Sequence, residues 1–223
     1  MKTAILVDGG YYRKVALSKF DDKTPEEAAT TLVDYCMRHL KQSKKTDIYS
    51  DLYRIFYYDC PPSDKKVYHP LLKHTVDLSQ TPDSEWMIRF LNALTKKRKV
   101  ALRLGTLSDS EIVYNLNYNA TKKLLSGDKT VETLQKEDFK LTIKQKGVDM
   151  KIGVDIASLA YKKQVDQIVL IAGDSDFVPA AKLARREGID FILDSLARPI
   201  KNDLFVHIDG LNFRDSKLKD NHK

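Results

Sequence analysis

The segment Ile168-Val169-Leu170-Ile171-Ala172-Gly173-Asp174-Ser175-Asp176-Phe177 constrains the fold more than any other. Four apolar residues, three of them β-branched, predict a strand buried on both faces. Ala172-Gly173 ends the strand and two carboxylates follow it. Phe177 to Arg186 then predicts a helix, with Ala180, Ala181, Leu183 and Ala184 available for packing. The N-terminus repeats this grammar. Ala4-Ile5-Leu6-Val7 is a short apolar strand, and Asp8-Gly9-Gly10 is the turn after it. Open α/β sheets place ligands at the carboxyl ends of their strands. Two buried strands therefore each deliver an Asp to such an edge.

The rest of the chain supplies alternating elements. Thr24-Pro25-Glu26-Glu27 predicts a helix start, with Thr as N-cap, Pro at the first position and Glu closing a capping box. Thr81-Pro82-Asp83-Ser84-Glu85 predicts another. Leu52–Tyr58, Val100–Leu104 and Ile189–Leu193 predict strands, and a helix begins near Asp149 and runs to Lys163. Ser63 to Pro82 has no clear period and predicts a loop with some helix. This alternation predicts an α/β fold, a mostly parallel sheet with helices on both faces. A single domain over residues 1–210, an irregular insertion at about 109–146 and a polar tail at 211–223 are expected for a chain of 223 residues.

Composition narrows the function classes. Cys36 and Cys60 form no CxxC pair, and no His cluster stands at zinc spacing, so free thiols and a cytoplasmic location are expected. The apolar run at 4–7 is too short for a signal core, and no stretch approaches a membrane span. A P-loop motif and GxGxxG are both absent, which argues against nucleotide-binding folds of those types. An Asp-nucleophile phosphatase needs a second Asp two residues after the first, where this chain has Gly10.

Lys and Arg number 38 against 31 acidic residues, a net charge of +7. That balance favours a polyanion such as nucleic acid. Lys96-Lys97-Arg98-Lys99 is either a solvated helix end or a nucleic-acid contact. The segment 109–146 mixes Tyr114 and Tyr118 with Lys122, Lys123, Lys129 and Lys146. It suits a single strand through stacking and phosphate contacts, or is an ordinary amphipathic hairpin. Arg103 and Lys151 are further candidates for phosphate contact. Gly9-Gly10 either lets backbone approach a ligand or supplies positive φ.

Each Asp taken singly can be a helix or turn cap. Taken together they point elsewhere. Strands one and four of a right-handed parallel sheet are usually neighbours, which gathers Asp8, Asp149, Asp174 and Asp176 at one edge. So many carboxylates stay ionised together only beside a cation, and a hard divalent ion, Mg²⁺ or Mn²⁺, is the natural partner. Asp155 is a weaker candidate, nearly two helical turns beyond Asp149.

Asp8-Gly9-Gly10, the YYDCPP after the second strand, the KGVDMKIGVDI segment and IAGDSDFVPAAKLARREG together resemble the NYN-domain proteins of the LabA-like group, within the PIN-like nuclease superfamily. The resemblance covers residues 1 to about 210. It implies a Rossmann-like, three-layer α/β/α domain and a metal-dependent ribonuclease whose acidic residues are Asp8, Asp149, Asp174 and Asp176, hydrolysing phosphodiester bonds with water activated by Mg²⁺ or Mn²⁺. It implies RNA, or single-stranded nucleic acid more broadly, as partner, no membrane, and leaves a homo-oligomer open. Many relatives carry Asn three residues after the first Asp; here that position is Tyr11. The alternative function is a non-catalytic RNA-binding or regulatory protein with a vestigial metal site.

Overall fold

The computed structural model describes residues 1–17, 19–22, 24–41, 48–108 and 112–218. The expected exposed loop at Gln42–Lys45 lies outside these. The chain begins with β1 (Lys2–Asp8), α1 (Gly9–Ala16), α2 (Pro25–Arg38) and β2 (Asp51–Asp59). A hairpin of β3 (Lys66–His69) and β4 (His74–Asp77) leads to α3 (Pro82–Thr95) and β5 (Val100–Leu104). An excursion follows: β6 (Thr106–Leu107), β7 (Val113–Leu116), α4 (Tyr118–Leu125), β8 (Phe139–Thr142) and β9 (Gln145–Lys146). The chain returns through α5 (Val148–Tyr161), β10 (Gln167–Ile171), α6 (Val178–Arg186), β11 (Asp190–Asp194), α7 (Asn202–Phe205) and β12 (Gly210–Leu211).

The described residues build one six-stranded sheet in the order β5-β2-β1-β10-β11-β12, with every neighbouring pair parallel. Counted along the sheet this is 3-2-1-4-5-6, the doubly wound order. Helices α1, α2 and α3 cover one face, where Tyr12, Leu32, Phe90 and Leu94 pack on Ile5, Val7 and Tyr57. Helices α5 and α6 cover the other, where Ile152, Ile156 and Ala181 pack on Leu6 and Leu170. The fold class expected from the alternation is the one observed. Among the described residues no helix is long and apolar enough to cross a membrane.

The caps form as local chemistry dictates. Thr24 accepts from the Glu27 amide at 3.1 Å while its own amide donates to the Glu27 carboxylate at 3.1 Å. Thr81 caps α3. The basic block Lys96–Lys99 ends α3 and leads into β5, at the sheet edge opposite the strand carboxyl ends. There Lys97 donates to Thr30 at 2.8 Å and Lys99 to the Leu52 carbonyl, as a helix end should.

Four expectations change. Residues 63–82 hold the β3–β4 hairpin and a 3₁₀ turn at Leu78–Gln80. Its strands are only four residues long, so their alternation of exposed Lys66 and Tyr68 with buried Val67 and His69 left little signal. The excursion is more regular than expected, since β7 and β8 pair antiparallel around α4. Gly9 and Gly10 open α1 without positive φ. Gly9 is needed for space, because a Cβ there would lie 2.5 Å from the Tyr57 ring and 2.6 Å from the Asp59 carboxylate. The C-terminal segment is not wholly a free tail, because Gly210–Leu211 joins the sheet and Leu218 is buried in the core.

Tyr11 ties three of these elements together. Its hydroxyl donates to the Ser195 carbonyl at 2.6 Å, just past β11. Its ring lies so close over Gly173, just past β10, that a Cβ there would fall 2.4 Å away. Gly173→Ala should therefore destabilise the protein by roughly 1–3 kcal/mol through overpacking. The cost should largely vanish in a Tyr11→Ala background, as a denaturant double-mutant cycle would read. Additive costs would show that Tyr11 is not what confines Gly173.

Candidate functional site

Register carries the acidic residues to one edge. Val7 of β1 pairs with Ile171 of β10, so Asp8 stands level with the start of the turn that holds Asp174 and Asp176. β1 and β10 are the two strands at which the winding reverses, the place where doubly wound sheets open a crevice. Helix α5 lies on one face of the sheet, with Asp149 as its second residue.

Local roles explain only part of this set. Asp8 caps α1, its Oδ1 accepting from the Tyr11 amide at 3.0 Å. Asp174 caps the 3₁₀ turn Ser175–Phe177, its Oδ1 accepting from the Asp176 amide at 3.2 Å. Each uses one oxygen for this. Asp149 is not a cap: Gly147, at φ 78°, takes that position without a side-chain bond. Among the described residues none of Asp8, Asp149, Asp174 and Asp176 forms an ion pair.

Electrostatics places Asp149 between the two groups, acting on Asp8 and acted on by Asp174 and Asp176. Burial pushes the Asp8 carboxyl up to about 6, against the lowering effect of the Tyr11 and Gly10 amides, and the charges of Asp149 and Asp59 push the same way. The Asp149 carboxyl is raised by burial, then by the charges of Asp174 and Asp176. Like charges gathered in this way favour a cation beside them.

The donor chemistry fits a hard divalent cation. The spacing sets how it would be held, since among the described residues no group of three or more His, Cys, Asp or Glu side chains is placed to hold an ion. One or two carboxylates with retained waters is the mode that suits Mg²⁺, which dehydrates reluctantly.

Asp155 stands apart from this group. It accepts from Tyr58 at 2.8 Å and from Arg103 at 3.0 Å, so the carboxylate and the arginine satisfy each other. Arg103 also lies over the Phe56 ring. Lys129 is paired with Asp138. Lys122 and Lys123 sit on the last turn of α4, and Lys146 and Lys151 flank the start of α5 beside Asp149.

Two features of the edge escaped the sequence. Asp59 ends β2 fully buried and is bound from five directions. Arg13 grips it in a bidentate pair at 2.9 and 3.0 Å, and Tyr57, the Cys60 amide and Gln145 donate at 2.9, 2.8 and 3.1 Å. The signal was available, since Asp59 follows the strand Leu52–Tyr58 just as Asp8 follows its own. The other is Lys201, whose ammonium donates to the Ser175 hydroxyl at 3.2 Å, between Asp174 and Asp176 in the chain. No motif marks it.

The sequence model of the NYN domain matches residues 88–208. The match includes Asp149, Asp174 and Asp176, while Asp8 lies before it. An uncharacterized protein of Methanocaldococcus jannaschii is 25% identical over 113 aligned positions, covering 42% of this chain and 47% of that protein. The similarity thus spans about half of the relative's length. A crystal structure of a protein of unknown function from Vibrio parahaemolyticus aligns over 97% of this chain and 94% of that one, at 13% identity and a TM-score of 0.45.

The raised Asp8 carboxyl sets a pH dependence. The folded protein holds this proton more tightly than the unfolded chain, so stability falls as pH rises from the ordinary 3.8 through about 6. That gap corresponds to roughly 3 kcal/mol. Asn caps a helix as well as Asp does. In metal-free protein Asp8→Asn should therefore gain roughly 2–3 kcal/mol at about pH 8 and little at about pH 4, measured by urea unfolding. A gain that does not grow with pH would contradict the assignment.

Proposed function

The chain belongs to the NYN domain family, within the PIN-like nuclease superfamily, and from that premise we propose that it is a Mg²⁺- or Mn²⁺-dependent ribonuclease. The observation that carries this reading is the set of unpaired carboxylates at the switch point, with Asp8 pushed up to about 6 by burial and by like charge. In this reading Asp8 and Asp174 hold the ion directly, and Asp149 and Asp176 hold its hydration shell or a second ion. A divalent ion bound there supplies activation of water and neutralisation of charge on the phosphate.

The chain's own residues do the remaining work. Lys146, Lys151 and Lys201 surround the acidic edge and draw in a phosphate backbone that the bare carboxylates repel. Arg13 is bonded in bidentate fashion to Asp59, so its charge is matched there and not at Asp8. Tyr11, where relatives often carry Asn, turns its hydroxyl to the Ser195 carbonyl and serves as a strap between strand ends.

One observation favours the rival, a non-catalytic RNA binder. Among the described residues no three donors are already assembled for an ion. A single measurement separates the two. Wild type should cleave a labelled single-stranded RNA in Mn²⁺ and not in EDTA, and Asp8→Asn should lose at least about a hundredfold in single-turnover rate, on the scale of other electrostatic catalytic groups. Its RNA affinity should hold or rise, because one phosphate-repelling charge is gone. If neither protein cuts, and they differ only in affinity, the binder reading stands. Cleavage that survives equally in Asp8→Asn or in EDTA would point to a contaminating nuclease.

Salt adds a check on the partner. The affinity for single-stranded RNA should fall with a log–log slope of about −0.7 per phosphate contacted. Replacing Lys122 and Lys123 by Ala should flatten it, whereas replacing Lys129, already paired with Asp138, should change it less.

A further inference from the structure

Beside the acidic edge lies a cleft of about 550 Å³, which the reaction as described leaves unused. It is walled by the excursion on one side, through Tyr114, Leu141 and Ile143, and by Met87 of α3 on the other. Its polar lining comes from Arg13, Gln145, Asp83 and the hydroxyl residues Ser63, Thr81 and Ser84, and both Arg13 and Gln145 are bonded to Asp59. Asp59 follows Tyr58, the residue paired with Asp8 across adjacent strands. Neighbouring strands lie about 4.8 Å apart, so this end of the cleft is within one nucleotide's reach of Asp8.

The lining is that of a ligand site. Its surface is more apolar than polar, and two of its polar groups are fixed. Arg13 and Gln145 cannot swing freely, because the buried Asp59 holds both. The Tyr114 ring is itself packed against His69, at 4.4 Å between centroids. The volume falls within the roughly 300–1,000 Å³ of small-molecule pockets. That volume has room for one base with its attached sugar.

We infer that this cleft receives a single unstacked nucleobase of the RNA strand whose phosphate lies at the carboxylates. The inference rests on the ribonuclease reading for the identity of the strand. A flat apolar slot with an aromatic wall suits the face of any base, and Arg13 and Gln145 offer donors to its edge. Single strands can splay a base into such a slot, whereas bases in a duplex are stacked and paired. The excursion then has a task in recognition: it builds the wall that the central sheet lacks.

The test compares the affinity of the full chain for a short single-stranded RNA with that for a fully abasic copy of equal length, by fluorescence anisotropy in EDTA so that nothing is cut. Wild type should prefer the intact RNA by about tenfold, which lies within the range that stacking one base is worth. Tyr114→Leu removes the aromatic wall, and Ile143→Asp, at a residue 40% exposed, spoils the apolar one without disturbing the core. Each should cut the preference for intact RNA by about tenfold. The abasic copy reports separately any charge effect of the new Asp. No preference in wild type, or a preference unchanged in both variants, overturns the inference. RNA cut in Mn²⁺ without such a preference would overturn the cleft and spare the ribonuclease reading. A preference lost in the variants without cleavage by wild type would do the reverse.

Discussion

Everything at the acidic edge depends on strand β1 being unable to move. Its residues Thr3 to Val7 are fully buried between β2 and β10 and beneath helices on both faces. A slip of one residue would turn Ile5 and Val7 toward α5 and Ala4 and Leu6 toward α1 and α2, exchanging two packed surfaces at once. The register is therefore set by packing along the whole strand, and Asp8, its last residue, inherits that precision. This is how an apolar core far from the chemistry can hold a carboxylate where other carboxylates oppose it.

Two neighbouring strands end in Asp, and the fold treats them in opposite ways. Asp59 is surrounded by donors and neutralised by Arg13, so its charge is a structural fixture. Asp8 receives only backbone amides, and burial and like charge act on it together. The contrast separates an anchor from a group left responsive to whatever approaches. Gly9 stands between them, kept small by the Tyr57 ring and the Asp59 carboxylate, so that the helix bearing Arg13 can start at once after Asp8.

The parts legible in the sequence were those written locally. The runs at 4–7 and 168–171 announce buried strands, and Thr24 and Thr81 announce helix starts, because the caps bond only three residues away. That Asp8 and Asp174 lie at the same edge of the sheet followed from topology rules, since parallel order and handedness admit few alternatives. Asp59 was passed over because its meaning depends on Arg13, 46 residues earlier, and on Gln145, 86 residues later. Asp155 looked like a neighbour of Asp149 in sequence, yet its partners Tyr58 and Arg103 lie on β2 and β5. Tyr11 gave a departure from a motif but no hint of its bond to Ser195, which only the closed sheet brings near.

The excursion leaves and rejoins the domain through a narrow neck. Thr106 pairs with Lys146, and Gly105 is held so near the Lys146 carbonyl that a Cβ would come within 2.6 Å of it. Gly147, in its left-handed conformation, then turns the chain directly into α5. Entry and exit thus lie side by side, and the described part of the excursion forms a cassette that packs on β3 through Tyr114 and His69. Loop-closure cost rises only slowly with length, so such a cassette can lengthen, shorten or be exchanged while the strand order stays as it is. A lineage could in this way change what the protein grips without touching the edge at which it would act.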